Sequence, residues 1–486
     1  MVTMEEIGKL EQLPPELLDV ILSQCEFPSL KDLRRVNRRF SNASTPHVFE
    51  HFHMGLFNHG LSNLLHLSKS ALSKHIKKFT LHSDILPLVQ ERHDWERWID
   101  FRPSYEAWLR EASSEGRVVG GDEAALRTWF RAEHNTRPRH HFSERELEDG
   151  WELYWRLANK QRVWSQQHKG LLFKEYFSAL PNLAEVTVRC ASPTDSIDTP
   201  VWESLRQQIL VRPQDWMYSG AYDDTQKLAN VGFAALCLLE AVAFRASFSG
   251  VKHIQKLTLN SAHRHSYYQL TAAASDLGTP FRNYNTLIDG FTHLRELYLH
   301  VPYATDGAET SAEAMARETM IFSRTSSQLR KLDLSYGDGD KIEYEAYKST
   351  FALEPLFRSP LVTWPFLRDL SLVASVGAED LLNFVRLHSG TLRTLEWRDS
   401  ASDDFSYILQ QLPYVVKLEY VYLECLWQWF EEIGVYLCFF EEGTDGDKPH
   451  ACAVREYLLH GGDQMPELDE EAWIKRQDSE QSVASS

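Results

Sequence analysis

The sequence predicts a mixed α/β chain: three short N-terminal helices, then an irregular arc of strand–helix units interrupted by a Trp-rich helical insertion. Three observations predict it. Residues 13–52 carry apolar side chains at helical spacing in three short runs broken by prolines. Leu-Arg-x-Leu-x-Leu recurs at 294–299, 329–334 and 367–372, and nearly again at 392–397. Residues 91–175 hold seven of the 14 tryptophans, interleaved with charges.

The first helical run is Leu13, Leu17, Leu18, Ile21 and Leu22; the second is Leu30, Leu33 and Val36; the third is Phe40, Ala43, Val48, Phe49 and Phe52. Pro14 biases Leu13 towards extended angles and Pro15 suits a first helical turn. Glu16 and Asp19 complement the dipole of that helix. Pro28-Ser29 ends the run, with Ser29 as cap of the second helix and Asp32 at its third position. Arg34, Arg35, Arg38 and Arg39 cluster near the end of the second helix, and Pro46 breaks the chain again. A segment of about 40 residues cannot bury all these apolar groups within itself, so the remainder faces another surface.

The order LPPELLDVIL, SLKDLRRVNRRFSNAS, then P-x-V-F resembles the F-box, over residues 12 to 52. Asn37 stands where many members carry Cys, and Phe40 where many carry Trp. The resemblance implies a three-helix unit that docks a Skp-type adaptor and, through it, a cullin scaffold. Its adaptor-facing positions would be Leu13, Pro14, Leu17, Ile21, Leu22, Leu30, Leu33 and Val36. The competing reading is an ordinary helical subdomain packed on the rest of the chain.

The strict Leu-Arg copies exceed chance expectation for a chain of this length. Looser copies are IKKFTL at 76–81, LAEVTV at 183–188, IQKLTL at 254–259 and VVKLEY at 415–420. The copies starting at 294, 329, 367, 392 and 415 are spaced by 35, 38, 25 and 23 residues. They resemble leucine-rich repeats, each a short strand plus a helix, with inserted loops where the spacing is long. Alternating leucines would point into the core, and the residues between them outward from a concave parallel sheet. AEDLLNFVRLHSG reads as an intervening helix with Gly390 as its C-terminal cap. The expectation is a short, degenerate arc; a generic Leu-rich α/β domain is the alternative.

The domain boundaries follow: 10–55, the F-box-like unit; 56–90, a connector with the first loose copy; 91–175, the insertion; 176–440, the repeat-like region; 441–486, an acidic end, disordered over its last dozen residues. Within the insertion, Trp95–Trp98 and Trp151–Trp155 each share a helix face, and residues 133–146 read as an exposed basic loop. The tryptophans either pack on the arc or form a partner-binding platform.

A net charge of −18 argues against nonspecific binding to nucleic acid or anionic membranes. The cysteines, at 25, 190, 237, 425, 438 and 452, show neither C-x-x-C nor Cys/His ligand spacing. A reducing cytosolic or nuclear compartment fits them, as does an N-terminus without signal-peptide order. No nucleophile elbow, phosphate loop, dinucleotide fingerprint or H-E-x-x-H is present. His263 with His265 lacks further metal ligands, and Asp338-Gly339-Asp340 reads as a turn. Neither a cofactor nor a metal is expected.

The resemblance, closest in style to fungal F-box proteins, implies a non-enzymatic substrate receptor of an SCF-type ubiquitin ligase. The alternative is an adaptor-binding scaffold that does not direct ubiquitination. The target-facing residues, read from repeat periodicity, are Glu296, Tyr298, His300, Lys331, Asp333, Ser335, Asp369, Ser371, Thr394, Glu396 and Arg398.

Overall fold

A computed structural model describes residues 12–55, 58–82, 86, 91–99, 142–166, 170–189, 208–210, 241–242, 244–260, 292–301, 327–336, 363–374, 376–430, 435–439, 449–462 and 464–466. Among the described residues the architecture is a ten-stranded sheet whose strands follow one another in sequence order. The strands are β1 (His51–Gly55), β2 (Lys78–His82), β3 (Glu185–Arg189), β4 (Lys256–Asn260), β5 (Glu296–Val301), β6 (Lys331–Tyr336), β7 (Asp369–Val373), β8 (Thr394–Ser402), β9 (Tyr420–Phe430) and β10 (Val435–Phe439). β1 through β9 are all parallel, and only β10 turns back antiparallel on β9. The chain is therefore mixed α/β, as its periodicity predicts.

Each repeat copy seeds one strand. Leu294, Leu297 and Leu299 align with Leu329, Leu332 and Leu334, then with Leu367, Leu370 and Leu372, all fully buried. The loose copies obey the same register: Ile76, Phe79 and Leu81; Leu183, Val186 and Val188; Ile254, Leu257 and Leu259. Parallel strands that alternate apolar and polar bury one face, and these inward side chains form one continuous core.

Two copies differ from the sequence reading. The last strand uses Leu418, Val421 and Leu423, three residues beyond the frame starting at Val415, because Thr394 pairs with Tyr420. Val415 instead ends the preceding helix. The first strand, β1, is an unforeseen copy built on Phe49, Phe52 and Met54. Phe52 thus lies on a strand, not on a third helical run, and the sheet begins inside the stretch read as purely helical. With nine parallel strands the sheet is longer than the short arc expected from the sequence.

Helices line the core side of the sheet. Among the described residues they include α4 (Asn58–Ser68), α7 (Gly170–Ser178), α8 (Ala378–Leu387), α9 (Phe405–Val415) and α10 (Pro449–His460), the last closing the C-terminal end over α9 and β9. α8 lacks a cap of its own, and Asp403 at the end of β8 accepts from Ala378 N–H at 2.7 Å. It ends at His388, not at Gly390. Asp404 caps α9 by accepting from Tyr407 N–H at 2.8 Å.

The N-terminal unit comprises α1 (Pro15–Ser23), α2 (Phe27–Val36) and α3 (Arg38–Val48). Pro15 opens α1 as its spacing predicts. α2 starts at Phe27 with Glu26 before it, so Ser29 lies inside the helix and caps nothing. Asn37 caps α3 by accepting from Phe40 N–H at 2.9 Å, and Pro46 sits within the last turn of α3 without ending it. Arg38 and Arg39 therefore open α3; only Arg34 and Arg35 occupy the end of α2.

The insertion contributes α5 (Arg92–Ile99) and α6 (Glu144–Gln166), which pack together. α6 begins with a reciprocal box: Glu146 accepts from Ser143 N–H and Oγ, each at 2.7 Å, and Ser143 Oγ accepts from Glu146 N–H. The helix thus starts within residues 133–146, whose earlier part lies outside the described residues. Trp95 is fully buried against Trp151 and Tyr154, whereas Trp155 is exposed. Tyr154, not Trp155, shares the buried face with Trp151; the side chain of Trp98 lies outside the described ones.

Candidate functional site

Two surfaces among the described residues bear on the sequence reading. The first is on the N-terminal helices. Leu18, Leu22, Leu30, Phe40 and Val48 form a small core of their own, with Leu33 packed at its margin. α1 turns Leu18 and Leu22 inward because they are four residues apart, and the same geometry leaves Leu17 and Ile21 on a flank. Leu17 is 53% exposed, Val20 61%, Phe27 43% and Val36 46%, on a unit whose helices run only 9 to 11 residues. Large apolar groups at that exposure are left facing water, Phe27 with the Lys31 ammonium 4.3 Å from its ring centre. The unit is tied together by polar bonds: His47 Nε2 meets Asp19 Oδ1 at 2.8 Å, and Arg39 donates to Leu13 O.

Of the eight residues read as adaptor-facing, Pro14, Leu17, Ile21 and Val36 are exposed and Leu13 and Leu33 half-buried. Leu22 and Leu30 are interior and hold the helices together, so they offer no contact surface. Val20 and Phe27 are exposed and were not singled out; their apolar character next to Ile21 and Pro28 was the available signal.

The second surface is the face of the sheet opposite the core. The residues read as target-facing fall there in three rows. Glu296, Lys331, Asp369 and Thr394 are neighbours in register; so are Tyr298, Asp333, Ser371 and Glu396, and then His300 with Ser335. Arg398 stands opposite Glu424 on β9. Most are half-buried; the side chain of His300 lies outside the described ones. Ser371 is the exception, 2% exposed with its hydroxyl unpartnered among the described residues, so it cannot contact a target.

The first row extends beyond the strict copies. Lys78, Glu185, Lys256, Glu296, Lys331 and Asp369 alternate in sign across six adjacent strands. Lys78 lies 3.6 Å from Glu185 and Lys256 3.4 Å from Glu296. Opposite charges side by side favour this pairing order over a slipped one. Tyr298 stands between two ammonium groups, Lys256 at 4.5 Å and Lys331 at 5.3 Å from its ring centre. Burial and the Glu296 carboxylate, which accepts from its hydroxyl at 3.1 Å, hold the phenol far above its usual range.

At the β1–β2 edge the same face carries three histidines. His53 Nδ1 lies 3.2 Å from His82 Nε2, and His51 Nε2 2.8 Å from Thr80 Oγ1. Burial first, then His53, Arg189 and His51, hold His82 down at about 3; burial and Arg189 also lower His53. Their surroundings disfavour the charged imidazolium, and Arg189 beside them opposes a metal cation. Among the described residues no group of three or more His, Cys, Asp or Glu is placed to hold a metal. His263, His265 and residues 338–340 lie outside the described residues. No described helix is long and apolar enough to cross a membrane. No protein-family model matches the chain, and no curated protein matches it.

Proposed function

We propose that this chain is the substrate-recognition subunit of an SCF-type cullin-RING ubiquitin ligase. The N-terminal helices would dock a Skp-type adaptor, and the arc, read as leucine-rich-repeat-like, would hold a target protein. The reading rests above all on the exposed apolar set Leu17, Val20, Ile21, Phe27 and Val36, presented on helices that already have a core. Apolar side chains left exposed on a unit with its own core are the raw material of a docking face. The outward face of the sheet supports the second half: mixed charges around Tyr298 offer a polar, selective surface without one dominant sign.

In this reading the chain forms no covalent bond; it supplies proximity, bringing a target to a conjugating enzyme held elsewhere in the assembly. The test is a pull-down of full-length protein with a recombinant Skp-type adaptor, wild type beside L17D/I21D. Stoichiometric binding, lost in a variant that melts like the wild type, is the expected result. A folded wild type that fails to bind the adaptor overturns the proposal.

A further inference from the structure

The residue immediately before each of β5, β6, β7 and β8 is an arginine: Arg295, Arg330, Arg368 and Arg393. Their backbones extend the ladder by one rung. Arg330 N–H donates to Arg295 O, Arg368 N–H to Arg330 O and Arg393 N–H to Arg368 O, each at 2.8 Å. The four side chains thus leave the sheet from equivalent slots one strand spacing apart, about 4.8 Å, so the row spans about 14 Å. Arg295, Arg330 and Arg368 are exposed, and Arg393 is half-buried.

The fifth slot holds a carboxylate. Glu419 N–H donates to Arg393 O at 2.7 Å, and its side chain lies 3.2 Å from Arg368 and 3.5 Å from Arg393. Glu419 therefore neutralises one half of the row. Arg295 and Arg330 have no side-chain acceptor among the described residues, and Lys331 beside Arg330 has no ion pair among them. The nearby carboxylates are partly committed: Glu296 pairs with Lys256 at 3.4 Å, while Asp369 lies opposite Lys331 in register. Like charges on adjacent strands oppose one another, so the open half is a standing site for an anion.

We infer that the arginine row is a docking strip for a carboxylate-rich, extended segment of a partner protein, engaged as Glu419 already engages Arg368 and Arg393. Planar guanidinium forks match carboxylates better than any other cationic side chain. An extended peptide rises about 3.3 Å per residue, so the row meets about four residues. A nucleic acid is disfavoured, because the net charge of −18 repels a long polyanion before it reaches a strip this short. The strip deepens the reading of the arc as a target-binding surface. It does not involve the adaptor, and peptide binding is measured without one, so the two proposals fail separately.

The experiment is fluorescence anisotropy of full-length protein with a labelled oligoglutamate peptide, its oligoglutamine counterpart and a short oligo-thymidine strand. Binding of the glutamate peptide alone is expected. R295Q/R330Q should weaken it about tenfold, and E419Q, which releases Arg368 while Arg393 stays bonded to Leu392 O and Gly390 O, should tighten it about threefold. Circular dichroism and melting of both variants should match the wild type; a tightening in E419Q is an effect that loss of structure would not produce. Equal binding of the two peptides, indifference to R295Q/R330Q, or tighter binding of the oligonucleotide would overturn the inference.

Discussion

Trp364 donates its backbone N–H to Nε2 of His388 at 3.1 Å, joining the approach to β7 to the end of α8. With Nε2 accepting, the ring proton sits on Nδ1, which donates to Phe384 O at 2.8 Å. The imidazole thus closes one helix end and one buried amide at once, between the rings of Trp364 and Phe384. Replacing it with Leu would remove both of these buried hydrogen bonds. H388L should lose ~2–4 kcal/mol of stability, measured as a lower urea midpoint.

Acid should destabilise the fold through its neutral histidines. Burial lowers the pKa of His388, and burial with neighbouring cations and imidazoles lowers His53 and His82, the last to about 3. A histidine with a depressed folded pKa binds fewer protons folded than unfolded, so stability rises with pH. The contribution is complete above about 6.5 and is lost as pH falls towards the folded values. His51, although lowered to about 4, is more exposed and contributes less. The urea midpoint should fall between pH 7 and pH 4.5, and H82Q should flatten that fall. An H82Q profile parallel to the wild type would exclude His82 as a source.

Arg245 is buried and donates to three backbone carbonyls: Leu180 O at 2.9 and 2.6 Å, Lys252 O at 2.6 Å and Pro181 O at 2.9 Å. It ties the turn before β3 to the turn before β4, and burial pulls its pKa down to about 10. Met in its place fills the volume but abandons those carbonyls. R245M should be destabilised by at least ~3 kcal/mol, and R245K, a point charge without the fork, should restore only part. Full recovery by Lys would show that charge alone matters.

The sheet was legible because its inward positions repeat. Leu294-x-x-Leu297-x-Leu299 and its copies carry register in their spacing, and even the weak Ile76 and Leu183 copies obeyed it. The failures arose where apolar residues supported two frames at once. Val415, Val416 and Leu418 allow either alignment, and strand pairing selects Leu418. Phe49 and Phe52 fit a helical stripe and a strand equally well, and Phe52 went to β1. At the candidate sites, sequence pattern placed the outward rows correctly but not their depth. Ser371 sits in an outward slot yet is covered, and Leu30 satisfies a motif while serving the core. Depth depends on neighbours from distant elements, which a local pattern does not carry.

Leu17 and Leu18 are adjacent in α1 and opposite in consequence: Leu17 is 53% exposed and Leu18 2%. Truncating a buried leucine removes its transfer energy and leaves a cavity, about 2–5 kcal/mol in total. L18A should therefore unfold the N-terminal helices at lower urea, and L22A likewise. L17A removes surface that the isolated chain already leaves in water, so its stability should shift by no more than about 0.5 kcal/mol. If the apolar flank docks a partner, L17A should instead show its loss in adaptor affinity, while L18A at a temperature where it stays folded should bind normally. Urea melts and adaptor titrations on the two variants would separate a contact residue from a core residue one position apart. Equal destabilisation by both would mean that Leu17 is packed in solution and that the exposed flank is not a docking face.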